Sequence, residues 1–168
     1  MTKRKILVQR ADRLGDVVFS LPVLEALKNK FPKDEIHMLT SEIGAELLKG
    51  FPLVDKVWVV NANNKREIKA LIPDLRKEAY SLYVSLWNHP RMARCGKEAH
   101  IPVRIGDATN YWLKRYYTQP VRQHWEDFTR HQVEFNLDLL KPLGIINSPP
   151  KAVINIDQQL DQQIKGHL

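Results

Sequence analysis

KILVQRADRLGDVVFSLPVLEALKNKFP, residues 5–32, decides how the rest of the chain is read. Lys5–Gln9 is a short apolar run that ends in polar residues, the pattern of a strand buried on both faces. Arg10–Gly15 is a polar loop. From Asp16 onward, Val17, Val18, Leu21, Leu24 and Leu27 recur at helical spacing until Phe31-Pro32, where proline cannot continue the helix. Pro22 falls inside that stretch, so the helix either begins near it or bends at it.

Working outward, the same alternation repeats. Glu35–Leu39, Val54–Val60, Tyr80–Leu86 and Ile101–Ile105 read as further strands. Ser41 is a candidate N-cap for a short helix ending at Gly50. Lys65–Glu78 reads as a basic amphipathic helix interrupted by Pro73. Residues 109–117 suggest a short aromatic-rich helix. Arg130–Leu143 reads as a helix with Gly144 placed to end it. Ser148-Pro-Pro150 punctuates the chain, and Ala152–Ile156 and Gln158–Lys165 look like the start of something new. Strand alternating with helix predicts an α/β fold: a Rossmann-like, doubly wound, mostly parallel sheet. Ligands of such sheets sit beyond the carboxyl ends of the strands, which points to Arg10–Gly15 first.

The chain has 168 residues, 43% hydrophobic and 27% charged, an ordinary balance for a packed domain. It has no apolar run long enough for a membrane span, and its first residues lack the apolar stretch of a secretion signal. The single cysteine, Cys95, excludes an internal disulfide and a cysteine-based zinc cluster. A cytoplasmic location is the expectation. Lys and Arg number 26 against 19 Asp and Glu, a net charge of +7. Residues 65–122 hold 12 basic and 5 acidic side chains and so carry the whole excess. That bias suggests an anionic partner or, as the alternative, an ordinary solvated basic face.

Several chemistries are absent. The chain lacks G-x-G-x-x-G, the P-loop signature, H-E-x-x-H and G-x-S-x-G. No two aspartates stand at i, i+2, so the usual carboxylate pair for a metal-bound nucleotide sugar is missing. What remains is the loop that packs Arg10, Asp12, Arg13 and Asp16 around Gly15. Gly15 allows close backbone approach or an unusual φ. Asp16 reads as an N-cap, which spacing favours, or as a general base at a ligand cleft beside a helix N-terminus. His131 reads as a cap or packing residue. Trp112, Tyr116 and Tyr117 read as packing groups with stacking as the alternative. Cys95 reads as a small helix residue, with a thiol activated by Arg94 and Lys97 as the alternative.

The opening run, with its R-x-D-x-L-G-D-V-V-x-S-x-P pattern, closely resembles the start of the ADP-heptose:lipopolysaccharide heptosyltransferases, glycosyltransferase family 9. FPLVDKVWVV, YSLYVSLWNHPRMAR, VRIGDATNYWLKRYYTQPV and HQVEFNLDLLKPLGI resemble later segments of that family in order, so the resemblance covers residues 4–146. Ser85-Leu-Trp87 departs from it, because the family's fourth strand usually ends on an acidic residue. The resemblance implies an inverting, metal-independent transferase of the two-domain GT-B type with no cofactor. Residues 1–147 would be its acceptor-side domain, and 148–168 a linker and the start of an absent nucleotide-sugar domain. A chain so truncated is expected to be inactive alone. Asp16 would be the catalytic base. Arg10, Asp12, Arg13, Gly15, Asn88, Arg91 and Arg94 would bind an acidic lipopolysaccharide core acceptor, and ADP-heptose would be the donor. Arg91 and Arg94 share a helix face, and Lys65, Arg66 and Lys69 form a second cluster. Together they would support peripheral contact with the inner face of the inner membrane. The alternative is a non-catalytic module that binds an anionic glycan, lipid or nucleic acid through the basic surface. No specific nucleic acid is expected, since no recognition motif accompanies the charge.

Overall fold

A computed structural model describes residues 3–146. Six strands form one parallel sheet: β1 (Lys5–Arg10), β2 (Glu35–Thr40), β3 (Lys56–Val59), β4 (Leu82–Ser85), β5 (Val103–Asp107) and β6 (Gln119–Val121). Their order is β3-β2-β1-β4-β5-β6, so the strand order reverses between β1 and β4. The expected doubly wound fold is present. In-register pairing of Val8 with Met38 on one side and Val84 on the other centres the sheet on β1.

Alternation along β1 supplies both faces. Ile6 and Val8 pack with Val17, Leu24 and Leu27 on one side, while Leu7 packs with Ile68, Leu75 and Met92 on the other. The first side is covered by α1 (Leu14–Val18), α2 (Leu21–Lys30), α3 (Glu42–Leu47) and α7 (Gln132–Asp138). The second is covered by α4 (Lys65–Lys77) and α5 (Pro90–Glu98). A short α6 (Tyr111–Lys114) follows β5.

Several sequence expectations are corrected. The first helix does not begin at Asp16. It is split, with α1 ending at Val18 and α2 opening at Leu21, so that Pro22 occupies the first turn, where its missing N–H costs nothing. Asp16 is not an N-cap: that position belongs to Arg13, whose side chain makes no capping bond. Gly15 has no left-handed φ, and a Cβ there would meet nothing, so the unusual-φ reading falls and open space above the backbone remains. Strand β5 sits two residues later than expected. Strand β6, three residues with a central proline, was not foreseen. The last helix is shorter than Arg130–Leu143. His131 and Glu134 close a capping box at its start, a 3-10 turn at Lys141–Leu143 follows it, and Gly144 (φ 70°) ends the run. Helix α4 runs through Pro73 because that residue lies on the solvent face while Ile68, Ile72 and Leu75 are buried. The expectations for 148–168 lie outside the described residues.

Candidate functional site

The last residue of β1, Arg10, is buried, its side chain only 6% exposed. A lone buried guanidinium is costly, and here every nitrogen is engaged. Nη2 lies 2.7 Å from Asp16 Oδ1, and Nη1 donates to the Leu86 carbonyl beyond β4. Nε stands 2.8 Å from Asp12 Oδ1 without the alignment of a hydrogen bond, so that contact is a charge pairing. Arg10 therefore ties the tip of β1 to the following loop, to α1 and to the tip of β4. Ser41 Oγ adds a longer bond, 3.4 Å, to the Asp12 carbonyl. Burial pushes the Asp12 carboxyl above its ordinary value, against the pull of Arg10, and nearby Asp16 adds to the rise. The Asp16 side chain is 27% exposed; its Oδ1 is taken by Arg10, and its Oδ2 carries no hydrogen bond from the described residues.

Two hollows open at the carboxyl ends of the strands, one on each side of this clamp. The β4–β5 hollow, of about 540 Å³, is lined by Arg10, Trp87, Asn88, Asp107 and Trp125, among others. The β2–β3 hollow, of about 770 Å³, is lined by Asp12, Arg13, Ser41, Asn61 and Glu67, among others. Trp87 lines both and stacks on His89, ring centroids 4.5 Å apart. Asp16 lines neither; it stands one guanidinium away from both. Arg10 and Asn88 thus line the first hollow, Asp12 and Arg13 the second, and Asp16 is joined to Arg10 by its ion pair.

Arg91 and Arg94 are exposed on α5 and line neither hollow. Arg91 Nη1 reaches the Ala62 carbonyl at 3.2 Å, and Arg94 Nε pairs with Glu98 at 2.6 Å. The i, i+4 spacing of Arg94 and Glu98 was a readable sign of that pairing. Lys65, Arg66 and Lys69 are exposed at the start of α4, beyond the end of β3. Asn64 caps this helix by accepting from Arg66 N and Glu67 N.

One functional group escaped the sequence reading. Asp107, the last residue of β5, is buried. Its carboxylate accepts from Asn88 Nδ2 (3.1 Å), Trp125 Nε1 (3.0 Å), Thr109 N (2.8 Å) and Thr109 Oγ1 (2.6 Å). Strand β5 thus ends on a buried carboxylate, whereas β4 ends on Ser85. The signal was there in principle, an aspartate ending a strand before a Thr-Asn turn, but the two-residue offset of β5 concealed it. Ser85, at the end of β4, instead donates to Gln9 and accepts from Tyr117.

Two alternatives are settled. Cys95 is buried and its thiol is pushed up to about 12, so the activated-thiol reading falls. His131 caps α7, its Nδ1 accepting from Val133 N.

No protein-family model matches the chain. A "putative glycosyltransferase" of Haemophilus influenzae is 26% identical over 138 residues, 82% of this chain and 40% of that protein. "Lipopolysaccharide heptosyltransferase 1" of Campylobacter coli is 36% identical over 85 residues, 49% of this chain and 25% of that protein. The chain is thus similar in sequence to a curated glycosyltransferase and a curated heptosyltransferase. A solved family 9 glycosyltransferase from Veillonella parvula superimposes with a TM-score of 0.79 at 21% identity, covering 96% of this chain and 47% of that one. The fold is that of a Rossmann-like domain of a GT-B glycosyltransferase. The chain spans 40% or less of the length of these two curated relatives and about half of the solved one.

Proposed function

We propose that residues 1–147 are the acceptor-side domain of an inverting, metal-independent glycosyltransferase. It moves heptose from ADP-heptose to a sugar of the lipopolysaccharide inner core. Residues 148–168 lead into a nucleotide-sugar domain that binds the donor. The observation that carries this reading is the Arg10 clamp, which holds Asp16 at the strand tips with one carboxylate oxygen unengaged. The kinship with heptosyltransferases supports the reaction class.

In this reaction the acceptor hydroxyl oxygen attacks the anomeric carbon from the face opposite the leaving group. A carbon–oxygen bond forms as the bond to the diphosphate breaks, and ADP departs with that electron pair. The hydroxyl proton passes to Asp16 Oδ2. Arg10 fixes the carboxylate by its other oxygen, so the base is oriented before substrate arrives. Asp12, Arg13 and the open backbone at Gly15 form the acceptor wall on one side of the clamp, and Asn88 forms it on the other. Arg91 and Arg94 meet the anionic groups of the acceptor. The exposed cations of α4 hold the domain against an anionic membrane face, with the protein otherwise in the cytoplasm.

The test is incubation of the two-domain protein with ADP-heptose and a heptose-deficient lipopolysaccharide core. The expected result is a gain of one heptose on the acceptor with equimolar ADP. ADP release without that gain would overturn the proposal.

A further inference from the structure

Helix α6 gives its two largest side chains to solvent. Tyr111 is 78% exposed and Trp112 69%, while Leu113 is buried with Ala93 and Tyr117. Leu113 seats the helix, and the two rings are left outside the packing. Neighbouring exposed aromatics rimmed by charge mark an interaction surface.

That rim is cationic. From Ala108 to Trp125 the sequence holds Lys114, Arg115 and Arg122 and no acidic residue, and all three cations are exposed. Tyr111 and Lys114 line two hollows, of about 320 Å³ and 610 Å³. Arg122 lines the first with them, Trp112 and Arg115 the second, and no carboxylate lines either. The other exposed cations beyond the strand tips differ. Arg94 is paired with Glu98, and the first turn of α4 sets Glu67 beside Lys65 and Arg66 and has no aromatic residue. Tyr and Trp rings settle at the boundary between lipid tails and headgroups, and Lys and Arg are drawn to anionic headgroups. A single-stranded nucleic acid would match the charge, but stacking on successive bases favours parallel rings. Here the two rings meet edge to face at 80°, centroids 5.8 Å apart.

We propose that α6 docks the protein on an anionic bilayer, with Tyr111 and Trp112 entering the headgroup layer and Lys114, Arg115 and Arg122 meeting lipid phosphates. The inference rests on the membrane contact in the proposed function and deepens it. The cations of α4 supply attraction, and α6 supplies the apolar hold that they lack.

Co-sedimentation of the full chain with vesicles tests this, using phosphatidylcholine alone and phosphatidylcholine mixed with phosphatidylglycerol. The expected result is binding to the anionic vesicles and roughly tenfold less to the neutral ones. Trp112→Ser should weaken the binding about tenfold, and Lys114→Gln with Arg122→Gln about twentyfold. All three side chains are exposed, so the core is untouched by these changes. With bromine-labelled acyl chains, tryptophan emission should be quenched on binding. Trp112→Phe should remove most of that quenching while sedimentation changes less than about twofold. No binding to either vesicle, equal binding to both, sedimentation or quenching indifferent to these substitutions, or a preference for a single-stranded oligonucleotide would overturn the proposal. Anionic-vesicle binding that depends on Arg66 but not on α6 would overturn it while leaving the membrane contact of the proposed function in place. Heptose transfer to a lipid-free core sugar depends on neither, so the Asp16 chemistry stands or falls separately.

Discussion

The two ends of the sheet are built on opposite rules. At the amino ends of the strands, charges are matched. Lys3 pairs with Glu35, Arg4 with Asp34, and both Lys5 and Lys56 close on Glu78 at 2.5 Å. At the carboxyl ends and in the segments just beyond them, several buried polar atoms have no partner among the described residues: Gln9 Nε2, Thr40 Oγ1, Asn88 Oδ1, His89 Nδ1 and Gln123 Oε1. One end is finished by its own side chains. The other keeps polar atoms buried without a protein partner, each at a cost to stability.

The sharpest way to break this contrast is at Asp16. Asp16→Asn in the two-domain protein should lower transfer about a thousandfold, roughly 4 kcal/mol in activation free energy, while the protein still folds. Retained turnover would reduce the carboxylate to a partner of Arg10. Next, Arg10→Met should cost about 3 kcal/mol in denaturant unfolding, because it leaves Asp12 and Asp16 without their cation. A loss under about 1 kcal/mol would mean that the clamp is solvated rather than buried.

The opposite end gives a smaller, pH-dependent effect. The hydrogen bonds from Lys5 and Lys56 hold the Glu78 carboxyl down to about 2. Its folded-state pKa is depressed, so its contribution is complete above the ordinary value of 4.5 and is lost as pH falls through about 2. Glu78→Gln should therefore destabilise the protein by about 2 kcal/mol at neutral pH and flatten the loss of stability between those two values. Smaller again, Arg66→Gln should weaken co-sedimentation with anionic vesicles about fivefold, near 1 kcal/mol. Arg94→Ala, which breaks an exposed helical pair, should change stability by less than about 0.5 kcal/mol.

How much of this was legible from residues alone follows the same division. The central strands and the site loop could be read because a buried parallel strand must be apolar throughout and a polar break after it must mean something. The edge was not legible. Gln119–Val121 is three residues with a proline, and only its pairing with β5 makes it a strand. Asp16 was misplaced as a cap because α1 already opens at Leu14, ahead of the apolar spacing that begins at Val17. The partnership of Arg10 with Leu86 spans 76 residues of sequence, and no local pattern records such a contact.

That contact has a consequence for how the molecule tolerates change. The proposed reacting carboxylate is steered from the most deeply rooted strand, while Arg13, Trp125 and the first turn of α4 sit on the rim without holding it in place. Substitutions at the rim would therefore alter what is gripped while leaving the orientation of that carboxylate as it is.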